Sequence, residues 1–356
     1  MGTDWRQILD REWDKFPLTD EEALLLLQAA DIWELGQAAD RMREQQHPDS
    51  PVTFIIDRNI NYTNVCTNQC KFCAFYRQAG APDAYVLDEQ SIYRKIEETI
   101  AAGGTQIMLQ GGLHPELGLA YFERLLRGIK ARFEITVHSL SPTEIVDLAA
   151  KERLTVQATL SRLIEAGLDS LPGGGAEILD DSVRLRVSPA KISVQQWLDT
   201  MATAHRLKLA TTATMVIGLG ETYQQRINHL RAVRELQALT GGFRAFIMWT
   251  FQPGNTQLGG GKVPAWEYLR TLAVARLYLH NIKHLQGSWV TQGQSVGQLT
   301  LAFGANDLGS IMLEENVVRA AGTANYMSTE YMVDIIRGAG KKAAQRDTAY
   351  NIIRYY

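Results

Sequence analysis

The sequence predicts an α/β fold: a (β/α)8 barrel of the TIM type with an N-terminal helical extension. Two observations predict it. Apolar strand patterns alternate with helical patterns about eight times along the chain, the arrangement that builds a parallel sheet. Polar and glycine-rich stretches fall mostly where those strand patterns end, as they do in barrels that carry their sites on the C-terminal face. An open doubly wound sheet competes for the same alternation. The chain has 356 residues, 46% of them hydrophobic, enough for one large core. No linker or low-complexity stretch divides it. The expected organisation is a helical extension over 1–50, a barrel over 51–325 and a helical segment over 326–356.

Each element has its own signal. Residues 5–46 read as helical, with Thr19 or Asp20 as a cap before "EEALLLLQAADIWEL". "PVTFIIDRNINYTNV" (51–65) is β-rich and opens the barrel. "TQIMLQGGLHP" (105–115), "FEITVHSLSP" (133–142) and a short "LDSLPGGGAE" (168–177) follow. "KLATTATMVIGLGE" (208–221), "FRAFIMWTFQPGN" (243–255), "IKHLQGSWVTQG" (282–293) and "TLAFGANDLGS" (300–310) complete the series. The helical patterns lie between them. "DEQSIYRKIEETIAAG" (88–103), for example, opens acidic and ends near glycine.

Charge narrows the partners. The formal net charge is -3, with no long block of one sign, so neither nucleic acid nor an anionic membrane is expected. "MGTDWRQILDREWDKF" lacks the apolar core of a secretory signal, and Arg6 breaks the myristoylation pattern. No run approaches 18 apolar residues. These features point to the cytosol and to small-molecule partners.

The cysteines carry the chemistry. There are three, Cys66, Cys70 and Cys73, all inside "NYTNVCTNQCKFCAFYR" after the first strand. Scattered at random, three cysteines would take this spacing about once in 20,000 chains. An odd number excludes a closed disulfide framework. Structural zinc normally takes four protein ligands. A histidine could be the fourth, and His114 and His138 follow strand patterns. A [4Fe–4S] cluster is the better account, because three thiolates leave one iron with an exchangeable site.

C-x3-C-x2-C with Phe72 before the last cysteine, after the first strand of a β/α barrel, resembles the radical S-adenosylmethionine (SAM) enzymes. "LQGGLHP", "AGLDSLPGGGAEI", "TTATMVIGLGET", "FQPGNT", "GSWVTQG" and "GANDLGSIMLEENVV" extend the likeness over most of residues 52–323. Together they resemble the enzymes of the futalosine route to menaquinone and the related deazaflavin synthase subunit. "SWVTQG" and "FQPGNT" favour the cyclase of that route over aminofutalosine synthase.

The resemblance implies a [4Fe–4S] cluster on the three cysteines, SAM on its unique iron, and an external donor such as flavodoxin or ferredoxin. It implies hydrogen abstraction from C4′ of a ribose, followed by ring closure onto a benzoate. Phe72, Gly111, Gly112, Glu177, Gly218 and Glu221 are the residues it assigns to SAM, with Arg186 and Lys191 as partners for the SAM carboxylate. Glu221 is also well placed as a first-turn acid of the next helix. For the substrate carboxylate, a guanidinium at a strand end suits best, and Arg58 is the first choice. His114, His138, Asn306, Asp307 and Glu314 are further polar groups near strand ends, and a general base is expected among histidines or carboxylates. Trp249 and Trp289 could wall the cavity. A non-catalytic zinc or iron–sulfur module is the reading from another class.

Overall fold

A computed structural model describes residues 4–11 and 17–356. Every strand pattern forms a strand. The first splits at Ile56 into β1 (Val52–Ile55) and β2 (Asp57–Ile60). Then come β3 (Gln106–Leu109), β4 (Thr136–Ser139), β5 (Ser170–Leu171), β6 (Ala210–Ile217), β7 (Phe243–Thr250), β8 (His284–Gln286) and β9 (Asp307–Ser310). Two more strands, β10 (Ala343–Arg346) and β11 (Ile352–Tyr355), lie near the C-terminus.

The sheet order is β11-β10-β1-β9-β8-β7-β6-β5-β4-β3-β2. Its ends meet through the chain itself. β1 pairs in parallel with β9 at Thr53↔Asp307, and β2 pairs in parallel with β3 at Arg58↔Ile107. The run 52–60 therefore belongs to both ends, and the parallel sheet curls into a ring. The amide of Leu313 donates to the Asp57 carbonyl (3.1 Å) and carries that seam upward.

The strands are short and buried, as strands covered on both faces must be. All four residues of β1 are buried. The helices cover the ring with apolar stripes at helical spacing. Leu119–Lys130, for example, buries Leu119, Phe122, Leu125, Leu126 and Ile129. Their starts are set by caps. Asp88 accepts from the Ser91 amide (2.7 Å), and Thr222 with Gln225 forms a capping box.

At the N-terminus, a Thr19–Glu22 capping box opens Asp20–Ala29, and Ile32–Gln46 follows. These helices lean on the barrel helix Ala265–Tyr278. Arg270 donates to the Ala30 carbonyl and Arg276 to Gln46 Oε1, each at 2.6 Å. Of the stretch read as helical, 5–46, helix spans Trp5–Leu9, Asp20–Ala29 and Ile32–Gln46, with breaks at 10–11, 17–19 and 30–31; residues 12–16 lie outside the described residues.

The last segment departs from the helical expectation. Only Thr329–Gly338 is helix, and a β-hairpin follows it. β10 pairs in parallel with β1 at Val52↔Ala343, and β11 pairs back antiparallel. The register sets this hairpin against the N-terminal ends of the barrel strands. Its side chains, not its propensity, account for it: Arg346 pairs with the buried carboxylate of Asp307 (2.6 Å), and Tyr350 stacks on His284.

Candidate active site

The segment after β2 carries the cysteines away from the C-terminal end of the barrel and folds back at once. The Cys66 amide donates to the Arg77 carbonyl (3.0 Å), and Cys73 to the Cys70 carbonyl (3.0 Å). The Arg77 guanidinium gathers the carbonyls of Ala74, Phe75 and Tyr76 at 2.9–3.2 Å. Outside contacts fix the middle of the loop: the Lys71 amide donates to Val187 O, and its carbonyl accepts from Leu258 N. All three cysteines are free thiols. Burial pushes Cys70 and Cys73 up, while the Lys191 ammonium near Cys70 acts the other way.

The thiols line a cavity of about 340 Å³ at that end of the barrel. Among the described residues, no three His, Cys, Asp or Glu side chains are drawn together as a single metal ion requires. Neither His114 nor His138 lines the cavity, so the histidine-completed zinc site gains no fourth ligand.

Several expected residues do meet here. Phe72, Gly111, Gly112, Glu177, Lys191 and Trp249 all line the cavity with the cysteines. Gly112 approaches the loop so closely that a Cβ would stand 2.2 Å from the Val65 carbonyl oxygen and 2.8 Å from Cys66 Cβ. Gly111 lies under Tyr62, whose ring would meet a Cβ at 2.8 Å. Glu177 adopts φ +42° after the glycine turn. Its Oε1 accepts from Lys191 Nζ (2.7 Å), and its Oε2 is buried without a hydrogen-bond partner. The Lys191 ammonium also stands 5.3 Å from the centre of the Phe72 ring.

The comparisons with known proteins agree with this geometry. The profile of the Radical SAM superfamily matches residues 60–233, and that of the "CofH/MqnC C-terminal region" matches 240–355. The cyclic dehypoxanthine futalosine synthase of Halalkalibacterium halodurans is 47% identical over 98% of this chain and 95% of its own. That of Streptomyces coelicolor is 46% identical over 98% of this chain and 88% of its own. The chain belongs to the cyclic dehypoxanthine futalosine synthase family of radical SAM proteins. A more distant relative, the 5-amino-6-(D-ribitylamino)uracil–L-tyrosine 4-hydroxyphenyl transferase of Archaeoglobus fulgidus, is 38% identical over 90% of this chain and 94% of its own. Among solved structures, methylornithine synthase (PylB) superposes with a TM-score of 0.74 at 19% identity, covering 96% of this chain and 97% of that one. The FeFe-hydrogenase maturase HydG from Carboxydothermus hydrogenoformans gives 0.76 at 15%, covering 97% and 80%. Both share the fold.

In this family member the remaining expected residues lie elsewhere. Arg58 alternates outward on β2, where it pairs with Glu98 (2.5 Å). Glu314 pairs with Lys95 (2.6 Å) beside it. His114 sits in the loop beyond Gly112, accepting at Nδ1 from the Glu116 amide (3.1 Å). His138 lies within β4 and faces the opposite, N-terminal end, sharing a hydrogen bond with Ser170 Oγ (2.7 Å). Burial, then Arg244 and Arg346, hold it well below the usual histidine range and therefore neutral. Asp307 starts β9 at the same end, under Arg346 and Thr53. Its neighbour Asn306 accepts from Arg276. Trp289 donates to the Ser310 carbonyl and packs in the core.

The three SAM-assigned positions outside the cavity have local partners. Arg186 donates to the carbonyls of Leu219 and Gly220 (3.1 and 2.9 Å). Gly218, at φ +97°, makes the turn after β6. The Glu221 carboxylate folds back onto the amides of Gly218 and Leu219 and pairs with Arg226 (2.9 Å).

Sequence reasoning missed Glu144. It lines the cavity, where its carboxylate accepts from Ser141 Oγ (2.6 Å), Tyr62 OH (2.8 Å) and the Gly111 amide (3.2 Å). Burial outweighs these donors and pushes its carboxyl up to about 7. In sequence, Ser141-Pro-Thr-Glu144 reads only as a helix-start pattern directly after a strand. Asn59, Asn61 and Gln110 were missed as well; all three line the same cavity.

Proposed function

We propose that this protein is a radical SAM cyclase that converts dehypoxanthine futalosine to cyclic dehypoxanthine futalosine in menaquinone biosynthesis. The observation that carries the proposal is 46–47% identity over 98% of the chain to two proteins of that name. The residues present fit the cofactors. Three free thiols on one loop are a ligand set for a [4Fe–4S] cluster with an open iron for SAM. Once bound, that pair supplies one-electron cleavage of a sulfonium and removal of a hydrogen atom.

The chain's own residues bind and orient. Glu177 Oε2 is buried with no hydrogen bond, 3.8 Å from Arg184 Nη1, an acceptor suited to the ribose hydroxyls of SAM. Lys191 holds the other oxygen and leaves two ammonium donors for a carboxylate. Gly111 and Gly112 admit the cofactor's amino end beside the cysteine loop, and Phe72 offers a face for its adenine. Met108, Trp249, Phe251 and Val290 give the cavity an apolar wall that keeps water from a reactive carbon. Restoring aromaticity after ring closure releases one electron, which would return to the cluster or the external carrier, and one proton, for which Glu144 is the acceptor we assign. Glu177 is held by Lys191, and Glu315 is engaged by the amides of Val317, Val318 and Arg319.

The electron comes from a small external carrier, flavodoxin or ferredoxin, and the protein works in the cytosol. Among the described residues, no helix is long and apolar enough to cross a membrane. A sister reaction on tyrosine is the second reading, favoured by the 38% identity to the 4-hydroxyphenyl transferase.

The test is anaerobic reconstitution with iron and sulfide, reduction, and incubation with SAM and dehypoxanthine futalosine, read by mass spectrometry. The expected product has the substrate's mass less two hydrogens, with one 5′-deoxyadenosine per turnover. SAM cleavage with tyrosine but not with dehypoxanthine futalosine would favour the second reading. Incorporation of the adenosyl group into product would place the protein with aminofutalosine synthase. Intact SAM would overturn all three.

A further inference from the structure

A second chamber, of about 290 Å³, adjoins the main cavity. The two share Gln252 and Thr291 as a common wall. It is built from the segments that follow β7, β8 and β9, so it lies at the same end of the barrel as the cysteines. Its chemistry is different. The main cavity is mostly apolar, whereas the second chamber is lined by Gln292, Thr323, Asn325 and the ammonium of Lys262, with no Asp or Glu among its lining residues.

Charge decides what each chamber can hold. A carboxylate leaving water needs a cation or several donors. In the main cavity the one lining cation among the described residues is Lys191, held by Glu177 at 2.7 Å, and its remaining donors are the ones assigned to the carboxylate of SAM. Glu144, Glu177 and Glu315 line that cavity too and oppose a further anion. Lys262 has no carboxylate in ion-pair reach among the described residues.

The chain on either side of Lys262 is held, and the stretch between is held, among the described residues, only at the Gly259 amide, which donates to Thr256 Oγ1 (3.2 Å). The Leu258 amide donates to Lys71 O (2.8 Å), and Gln292 Nε2 donates to Val263 O (3.2 Å). Between these anchors lie Gly259, Gly260 and Gly261, and a Cβ on any of them would meet nothing within 4 Å. Gly259 and Gly260 take positive φ, +60° and +104°. The lysine thus rides at the end of an arm that has little to hold it in one place.

We propose that the second chamber is the subsite for the substrate's carboxylate, with Lys262 as its counter-ion. The aromatic ring then lies at the shared wall, where Gln252 Nε2 donates to the Thr291 carbonyl (3.3 Å) and must part from it for the ribose to reach the main cavity. This assignment rests on the cyclase reading. It also supplies the cation that Arg58, facing outward, does not.

The experiment measures equilibrium binding of dehypoxanthine futalosine, and of its benzamide analogue, to the reconstituted protein and to Lys262→Met, Lys262→Glu and Lys262→Arg. SAM binding is measured alongside. Lys262 is exposed, so the variants should fold. The Met variant is expected to bind the carboxylate substrate about ten- to hundredfold more weakly. The Glu variant should be weaker still, and the Arg variant near the parent. The benzamide and SAM should bind all four alike. Equal binding of the carboxylate substrate by parent and Met variant would overturn the subsite and leave the cyclase reading intact. A parent that binds no dehypoxanthine futalosine at all would overturn both.

Discussion

At the scale of single residues, Glu144 has the most to reveal. Three donors favour its charged form, yet burial keeps the carboxyl up at about 7, against an ordinary 4.5. The folded protein holds this proton more tightly than the unfolded chain does. Its contribution to stability is therefore complete below about pH 4.5 and is lost as pH rises through about 7, on the order of 3 kcal/mol in all. In Glu144→Gln that slope should flatten, as urea unfolding across this pH range would show. The variant keeps an acceptor for the Gly111 amide or the Tyr62 hydroxyl but takes no proton. Cyclic product should fall about 100-fold or more while SAM cleavage continues. Full cyclisation by the Gln variant would remove Glu144 as the proton acceptor. The cysteines were legible in the sequence because three of them seldom fall at that spacing unless they share a ligand. Glu144 gave no such signal: a Ser-Pro-Thr-Glu start looks the same whether its acid serves a helix cap or a cavity.

At the scale of elements, the eight strand patterns were legible because buried runs bounded by glycines and polar residues have few alternatives. What could not be read was which end of a strand a residue occupies. His138 and Asp307 were expected at the strand ends that carry chemistry, but Asp307 begins β9, and His138, third of four residues in β4, turns its ring to Ser170 at the start of β5. Strand β9 begins at Asp307 itself, whereas its apolar pattern begins several residues earlier. The hairpin of β10 and β11 was hidden for a related reason. Its strands are four residues each, the residues of β11 are exposed, and what stabilises them comes from distant partners. Asp307 accepts from Thr53 Oγ1 (2.6 Å), the Gly309 amide (2.8 Å) and both Nε and Nη2 of Arg346 (2.6 and 3.0 Å). Removing one partner of a buried pair strands the other, at a cost of about 3–5 kcal/mol. Asp307→Asn should therefore lower unfolding free energy by that order and leave turnover per folded molecule near the parent. Joining Arg346→Met to Asp307→Leu should recover much of the loss. A stable Asp307→Asn that no longer cyclises would return Asp307 to the catalytic residues.

At the scale of the whole molecule, one nine-residue run does two jobs. Residues 52–60 join β9 to β3 and so close the ring, and the first cysteine follows at position 66. The cysteine loop reaches that run through the segment after β3, which pairs with β2: the Gln110 amide donates to Ile60 O, the Gly112 amide to Thr63 O and the Thr67 amide to Leu113 O, while Val65 bridges to Arg77 within the loop. Opening the ring should therefore loosen the thiols, and gathering the thiols on a cluster should hold the ring shut. A ligand that binds only the folded state raises stability by mass action. Reconstituted protein should melt several degrees above the same protein stripped by chelator and oxidant, a shift worth a few kcal/mol for a chain of this size. Ile56→Pro places a fixed ring between β1 and β2, where it restricts Ile55 and disturbs the run at its midpoint. That variant should lose iron as well as stability, although Ile56 is ten residues from the nearest cysteine. Iron content and melting temperature measured on the same samples decide the matter. If Ile56→Pro melts early but keeps its iron, the ring and the cysteine loop are independent, and the coupling drawn from their shared strand is wrong.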